Sequence, residues 1–336
     1  MRWGWGWPVP DERFSLEIIP AVDLDLRKSR LDGLARAARK AAAGVTLEVL
    51  NLGAGVQSTT ILQMDSLVHR QGRRSVVEGF LGEPYPFPPL DAAVFADTQD
   101  EPVEVYEHLD RLGSMDVAPI YKTTAGCLDD DLMRGRNSTG QRFASIPAFT
   151  SAVPGKKGGI LKRQCTAEYK VEPVERLIRR QLLGLDPGQP APAGVVVRQW
   201  FGLSFDEPSR IAKVRARVEA KHWALPLFPL ADLVLERCDC EKFLASVGLV
   251  VPRSACVYCP FKRNVEWVRL RDGDPTGWAR AVLVDRALRV EGTVCNRNLD
   301  QHLYVHPSCL PLDEAPIDEA DVFDFLAYEC EGMCGV

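Results

Sequence analysis

A turn of small residues, Gly-Ala-Gly-Val-Gln-Ser, joins an apolar run to an apolar-periodic segment at residues 53–58. Gly53 and Gly55 have no Cβ, so the backbone there can approach a ligand closely. Ser58 falls at the start of the predicted helix, where unpaired amides and the positive end of the helix dipole favour an oxyanion. The turn therefore predicts a phosphate or pyrophosphate site; the alternative is a plain strand–turn–helix corner.

Neither common phosphate motif accounts for this turn. No Lys follows Gly55, as a Walker loop requires, and Ser58 stands where the dinucleotide fingerprint has its third Gly. The turn resembles the S-G-G-x-D-S loop of the PP-loop ATP pyrophosphatases, the adenine nucleotide α-hydrolase-like superfamily that includes the phosphoadenosine phosphosulfate (PAPS) reductases. Gly55 and Ser58 are retained, while Gly53, Ala54 and Gln57 replace the first Ser, the first Gly and the Asp. The resemblance implies that these five residues bind ATP or PAPS, with Ser58 in a catalytic role and Mg²⁺ as a candidate companion ion.

Two polar residues end the second predicted strand. Asp97 and Thr98 should lie beside the first turn, because open parallel sheets bind ligands at the carboxyl ends of their strands. With residues 104–106 they resemble the D-T-G…E-T-Y segment of PAPS reductases, which implies a nucleotide contact. The alternative is that the acids of residues 97–100 cap the helix that Pro102 begins.

The pair Cys256 and Cys259 forms a C-x-x-C motif. This spacing places two sulfurs on one side of a tight turn and suits zinc or an iron–sulfur cluster, although redox-active thiols share it. Residues 163–173 resemble the C-C-x-x-x-K-V-x-P region of iron–sulfur adenylylsulfate reductases, with Cys165 retained and Gln164 in place of the first Cys. The resemblance implies a [4Fe–4S] cluster on Cys165, Cys256 and Cys259, with zinc or unliganded thiols as alternatives.

Because Gln164 replaces a cysteine, the fourth ligand is not fixed. Either one iron is open, or Cys238, Cys240 or Cys295 supplies the fourth thiolate. Cys240 is preferred because it precedes the C-x-x-C motif within the same predicted subdomain.

Two cations accompany these motifs. Lys170 lies in the cysteine-containing run beside a predicted helix start, where its charge suits a sulfate or phosphate group. Arg210, at the end of residues 202–210, resembles the last Arg of the G-x-R-…-S-x-x-R region of the same reductases, whose first Arg is absent because Ser204 falls at or near it. The resemblance gives Lys170 and Arg210 catalytic roles. The tail containing Cys330 and Cys334 matches only Glu-Cys of the reductases' catalytic tail. We expect it to be structural or disordered, and a catalytic cysteine is the alternative.

Residues 134–163 contain seven Lys or Arg and no acid, in a chain of net charge -5. A basic, Gly-rich loop in an acidic protein suggests a nucleic-acid acceptor or another anionic ligand. The alternative is a solvated loop. The cations are Arg134, Arg136, Arg142, Lys156, Lys157, Lys162 and Arg163.

Strand and helix patterns alternate after an N-terminal extension at residues 1–44, whose predicted helix spans 29–43. Such alternation predicts an α/β fold with a mostly parallel, doubly wound sheet. We expect a nucleotide-binding domain at 45–230 and a helical, Cys-rich subdomain at 231–336, which holds eight of the ten cysteines. The predicted strands are 45–52, 92–96, 117–121 and 195–202, and the predicted helices are 57–69, 102–112, 167–183, 232–247, 262–271, 276–290 and 317–328.

Ten cysteines spread over 336 residues favour metal or redox use rather than a disulfide scaffold. The N-terminus lacks the apolar core of a signal peptide, and no apolar run approaches the roughly 20 residues that cross a bilayer. We therefore expect a cytoplasmic protein with no membrane partner.

The resemblance covers residues 45–261 and implies a PAPS reductase-like enzyme. Its first expected chemistry is ATP-dependent activation of an acceptor such as nucleic acid, followed by sulfur transfer from a donor protein through the cluster. The alternative is reduction of PAPS or adenylylsulfate with an electron-donor protein. The replacement of Asp by Gln57 motivates a third hypothesis, a non-catalytic module that senses a nucleotide or a cluster.

Overall fold

The computed structural model describes residues 17–18, 46–82, 88–137, 140, 146–151, 158–161, 163–289 and 301–320. Within them, strands form a six-stranded sheet and a small three-stranded sheet. The strands are β1 (Glu17–Ile18), β2 (Thr46–Asn51), β3 (Ala92–Asp97), β4 (Ile120–Thr124), β5 (Phe149–Thr150), β6 (Gly159–Ile160), β7 (Val196–Phe201), β8 (Ala224–Leu227) and β9 (Leu303–Tyr304).

The large sheet has the order β1-β4-β3-β2-β7-β8. Five of its strands are mutually parallel: β4, β3, β2, β7 and β8. The sixth, β1, pairs with β4 in the antiparallel sense. The chain therefore moves outward from β2 through β3 to β4, and then returns past β2 to build β7 and β8. Antiparallel pairing joins β5 to β6 and to β9 in the small sheet.

The described residues form ten α-helices, most of which cover the two faces of the large sheet. They are α1 (Val56–His69), α2 (Arg74–Leu81), α3 (Val103–Gly113), α4 (Leu128–Arg134), α5 (Glu172–Leu177), α6 (Pro208–Glu219), α7 (Pro229–Asp232), α8 (Arg237–Ser246), α9 (Asn264–Gly273) and α10 (Pro275–Ala287). Two π-helical turns, Thr166–Val171 and Ile178–Leu182, flank α5.

Alternating residues of β2 assign the faces, because successive strand side chains point to opposite sides. Leu50 packs in one apolar cluster with α1, α3 and α8, whereas Val49 packs in a second cluster with α5 and α6. A third cluster gathers α4, α9 and α10 around Trp267 and Tyr258. The predicted α/β fold with a mostly parallel sheet and flanking helices is confirmed. The domain boundaries after residues 44 and 230 stay predictions.

Most element predictions agree with the structure to within a few residues, with several differences. The third parallel strand begins at Ile120 rather than at residue 117 and extends into the polar sequence Lys-Thr-Thr. The sequence pattern also misses α2, α4, α6 and β8. Residues 317–320 of the helix predicted at 317–328 form a turn, and its remainder, like the helix predicted at 29–43, lies outside the described residues. No helix of the described chain is long and apolar enough to cross a membrane.

Candidate functional site

The turn after β2 is buried and folds back on itself. The Ser58 hydroxyl accepts a hydrogen bond from the Gly53 amide at 3.2 Å and donates to the Gly55 carbonyl at 3.3 Å. The left-handed residue of the turn is Ala54, with φ of 56°, and neither glycine has a positive φ. A left-handed alanine costs roughly 1–2 kcal/mol, and such strain collects at functional sites. Gln99, which follows β3, is left-handed too, with φ of 63°.

The strand order places this turn where the sheet changes direction, between β3 on one side of β2 and β7 on the other. Ligands of open α/β sheets bind in the crevice outside the carboxyl ends of the strands at that point. The turn after β7 packs directly against the start of α1. A Cβ added to Gly202 would lie 2.6 Å from the Ser58 amide nitrogen, so only glycine allows the two turns to approach this closely.

A buried polar network joins the start of α1 to the turn after β7. The Gln57 amide donates to the Ser204 hydroxyl at 3.2 Å and to the Glu207 carboxylate at 2.9 Å. Glu207 also forms an ion pair with Arg210. The structure therefore brings two predicted site residues, Gln57 and Arg210, into contact with the same carboxylate. Glu207 could not be identified from the sequence as a site residue, because its partner Gln57 lies 150 residues away.

The end of β3 lies beside the turn, as predicted. Asp97 accepts hydrogen bonds from the Tyr106 hydroxyl at 2.9 Å and the Gln99 amide at 2.7 Å, and its carboxylate lies 3.4 Å from the Lys122 amine. The capping alternative for residues 97–100 is wrong, because the first amide of α3 donates to Asp274 instead, at 3.1 Å.

Thr98 links the strand end to the C-x-x-C turn. Its hydroxyl and the Cys256 sulfur lie 3.2 Å apart. The next turn residues dock on Asp100, because the Val257 amide donates to its carbonyl at 2.7 Å and the Tyr258 hydroxyl donates to its carboxylate at 2.6 Å. The end of β3, at residues 97–101, and the cysteine turn, at residues 254–259, therefore form one continuous wall of the candidate site.

A buried ion pair supports the same wall. The Lys170 amine lies 3.1 Å from the Glu101 carboxylate, and both side chains are almost fully buried. Glu101 also accepts from the Ser254 hydroxyl at 3.2 Å and contacts the Cys256 sulfur at 4.0 Å. Lys170, expected to face an anionic ligand, is paired with a carboxylate of the site. Burial, with a contribution from Glu101, raises the pKa of the Cys256 thiol well above its usual range.

Three of the four predicted metal ligands share one environment. Cys165, Cys256 and Cys259 pack in or against the third apolar cluster. Cys240 packs in the first cluster and hydrogen-bonds to Thr60, and burial raises the pKa of its thiol to about 12. The structure thus separates Cys240 from the other three by cluster. Of the other candidates, Cys238 is exposed and Cys295 lies outside the described residues.

In the part of the chain that the structure describes, Cys165, Cys256 and Cys259 do not bring their three sulfurs within 4.8 Å of one another. One tetrahedral zinc ion would hold its sulfurs about 3.8 Å apart. Within the described chain, only Asp100, Cys127 and Asp129 bring three potential ligand atoms within 4.8 Å of one another. Lys262, whose amine donates to the Ala255 carbonyl at 3.2 Å, adds positive charge next to the C-x-x-C turn.

The side chain of Arg280 lies among Asp100, Cys127 and Asp129. The Arg280 guanidinium lies 2.5 Å from Asp100, 2.7 Å from Asp129 and 3.2 Å from the Cys127 sulfur. Burial nevertheless raises the pKa of Asp100 to about 7. Burial and the hydrogen bond to Asp129 raise the pKa of the Cys127 thiol to about 12. Arg280 thus clamps α10 against α4 and the end of β3.

The basic loop is described only in part. Arg134 pairs with Asp131 at 3.0 Å, Arg136 is exposed, and the Arg163 guanidinium lies 4.0 Å from the centre of the Phe261 ring. The loop residues Arg142, Lys156, Lys157 and Lys162, and the tail residues Cys330 and Cys334, lie outside the described residues.

Comparisons with protein-family models, with curated proteins and with solved structures found no match to this chain. The function is therefore inferred from the geometry of the site.

Proposed function

We propose that this chain is a PAPS reductase-like enzyme with the adenine nucleotide α-hydrolase-like fold, which binds ATP at residues 53–58 and an iron–sulfur cluster at the cysteine turn. Its reaction is ATP-dependent activation and sulfur transfer to an anionic acceptor such as nucleic acid. The observation that carries this proposal is the 3.2 Å contact between Thr98 and Cys256. This contact joins the end of β3, next to the turn at residues 53–58, to the cysteine turn. The proposed reaction needs a nucleotide and a cluster close to each other.

The residues of the crevice have distinct roles in this proposal. The first-turn amides and the Ser58 hydroxyl hold phosphate oxygens, because the helix N-terminus favours an anion. Arg210, from the first turn of α6, contributes positive charge toward the pyrophosphate that is released when ATP adenylates an acceptor oxygen. Asp97 and Thr98 contact the ribose or adenine. Cys165, Cys256 and Cys259 would hold the cluster, which when bound would supply a thiophilic metal surface for sulfur transfer.

The Gln57 network favours a second candidate, a non-catalytic nucleotide- or cluster-sensing module. Gln57 replaces an acid of the superfamily's loop, and its amide is held by Ser204 and Glu207. A carboxamide fixed in this way can line a binding site without taking part in turnover. Pyrophosphate release from ATP, measured with tRNA or DNA as acceptor, separates the two, since the sensing module releases none.

Reduction of PAPS or adenylylsulfate is less well supported by the described cysteines. Such chemistry needs a thiolate nucleophile, which a low thiol pKa provides. Burial instead raises the thiol pKa of Cys127, Cys240 and Cys256.

Metal analysis of protein purified without oxygen tests the cysteine site. We expect about four irons per chain, the content of a [4Fe–4S] cluster. Cys256→Ser and Cys259→Ser should each lose this iron, while Cys238→Ser, at an exposed cysteine, is the matched control. A colourless protein with one zinc ion per chain would overturn the cluster.

A further inference from the structure

Gln99 has the exposed side chain among the three polar residues at the end of β3. The side chains of Asp97 and Thr98 are buried. Asp97 accepts from the Tyr106 hydroxyl at 2.9 Å, and the Thr98 hydroxyl lies 3.2 Å from the Cys256 sulfur. The carboxamide of Gln99 is exposed instead. Of these three side chains, it is therefore the one that a ligand can reach without displacing a buried contact.

The backbone of Gln99 is held in an unfavourable conformation. Its φ of 63° lies in the left-handed region, which glycine adopts without strain and glutamine does not. Two contacts hold it there, because the Gln99 amide donates to the Asp97 carboxylate at 2.7 Å and the Gln99 carbonyl accepts from the Arg280 guanidinium at 3.2 Å. The side chain thus departs from a fixed point, and strain of this kind collects at functional sites.

A neighbouring hydroxyl orients the carboxamide. The Gln99 Nε2 lies 3.4 Å from the Thr124 Oγ1 at the end of β4. Thr124 donates its one hydroxyl hydrogen to the Gly126 carbonyl at 3.3 Å, so it can only accept from Gln99. The nitrogen of the carboxamide therefore faces Thr124. Within the described residues nothing donates to the Gln99 Oε1, and Nε2 has a second hydrogen, so one acceptor and one donor stay available side by side.

The position of Gln99 suits the base of a nucleotide whose phosphates lie at residues 53–58. In nucleotide-binding α/β sheets the phosphates lie at the turn after the first strand, and an acid further along the chain binds the ribose. Here β2 precedes the turn and the parallel neighbour β3 ends at Asp97. Gln99 follows Asp97 by two residues, on the side of β4. It therefore lies beyond the proposed ribose contact.

The chemistry of the carboxamide favours adenine over other purines. Adenine presents its N6 amino donor next to the N7 acceptor, whereas guanine presents two acceptors, O6 and N7, in the same places. A carboxamide binds the adenine pair with both of its atoms. Against guanine or hypoxanthine, the Gln99 Oε1 would face the O6 oxygen with no hydrogen between them.

We propose that Gln99 recognises the base and makes the nucleotide site selective for adenine. Its Oε1 accepts from the N6 amino group, and the second hydrogen of Nε2 is donated to N7. The inference rests on the proposed function for the presence of a nucleotide at residues 53–58, and it adds the residue that selects the base.

Calorimetric titrations with ATP and with inosine triphosphate (ITP), which has an oxygen in place of the N6 amino group, test this role. The wild type should bind ATP about 5- to 150-fold more tightly than ITP, the discrimination expected of one bidentate contact to a base. Gln99→Gly should bring this ratio close to one by losing affinity for ATP. Gln99→Glu should also lower it, because a carboxylate cannot donate to N7.

Thermal melting separates base recognition from a structural role. Gln99→Gly should melt at or above the wild-type temperature, because glycine adopts a positive φ without strain. Val234→Gly is the matched control, since Val234 is also exposed and left-handed, with φ of 57°, and follows α7. It should melt at or above the wild-type temperature too, while its ratio of ATP to ITP affinity stays that of the wild type.

Two results would overturn the role of Gln99 alone: a wild type that binds ATP and ITP equally, or a Gln99→Gly protein that keeps the wild-type ratio. In both, ATP still binds, so the proposed nucleotide site would stand. A wild type that binds neither nucleotide would overturn the proposed function and this inference together.

Discussion

Replacement of Gly202 by alanine is the sharpest perturbation of the candidate site. The new Cβ would lie 2.6 Å from the Ser58 amide nitrogen, 2.9 Å from the Ser58 Cα and 3.0 Å from the Gln57 carbonyl carbon. All three are backbone atoms of the first turn of α1, so no side chain can rotate away. The turn after β7 and the start of α1 must move apart instead.

The size of the effect follows from these distances. Ordinary contacts of a Cβ begin near 3.4 Å, so the backbone must open by about 0.8 Å. Overpacking of this kind costs typically about 1–3 kcal/mol, a substantial part of the roughly 5–15 kcal/mol that stabilises a protein. The displaced atoms include the amides that are proposed to hold phosphate, so nucleotide affinity should fall with stability.

Urea denaturation and calorimetric titration with ATP measure the two effects separately. Gly79→Ala is the matched control, because a Cβ at this helical position meets nothing within 4 Å. It should leave ATP binding unchanged and stabilise the protein by up to about 1 kcal/mol, the difference between alanine and glycine inside a helix. A Gly202→Ala protein with wild-type stability and wild-type ATP affinity would refute the proposed packing of the two turns.

Three further predictions concern the wall between the nucleotide and cysteine motifs. Lys170→Met should destabilise the protein by about 3–5 kcal/mol in urea denaturation, because it leaves the Glu101 carboxylate buried without its cation, and adding Glu101→Gln should recover part of the loss. Folded Asp100 keeps its proton to about pH 7, whereas the unfolded chain releases it near 3.8. The folded state therefore binds more protons between these values, so wild-type stability should fall as pH rises from about 4 to about 7, and Asp100→Asn should lack this component; an unchanged profile would contradict the raised pKa. Cys240→Ser should retain iron while Cys256→Ser loses it; iron loss from both would make Cys240 the fourth ligand, as the sequence suggested.

The sheet could be predicted because buried parallel strands leave a strong signal in sequence. β2 and β3 are apolar runs followed by turn residues, and both were located within two residues. β4 was displaced because its carboxyl end is polar, where Lys122 reaches Asp97 of the neighbouring strand. α4 was missed because it is short and begins with three acids that resemble a loop.

The site was predictable only where its residues are close in sequence. The first turn and the C-x-x-C motif were found because each is complete within a few residues. The left-handed conformation of Ala54 could not be predicted, since glycine lies on both sides of it and is the residue type that favours a positive φ. Arg280 was also missed, because it meets Asp100 and Asp129 only after the chain has folded and lies 151 residues beyond Asp129.

Calorimetric titration of ATP into the wild type and into Gly55→Val tests the central claim most directly. Gly55 is the residue before α1, and a β-branched side chain there would stand where the backbone must meet the ligand. The wild type should bind ATP at a single site, and Gly55→Val should show no binding while it keeps its iron and its folded spectrum. Equal ATP affinity in the two proteins, or no ATP binding by the wild type, would contradict the placement of a nucleotide at this turn.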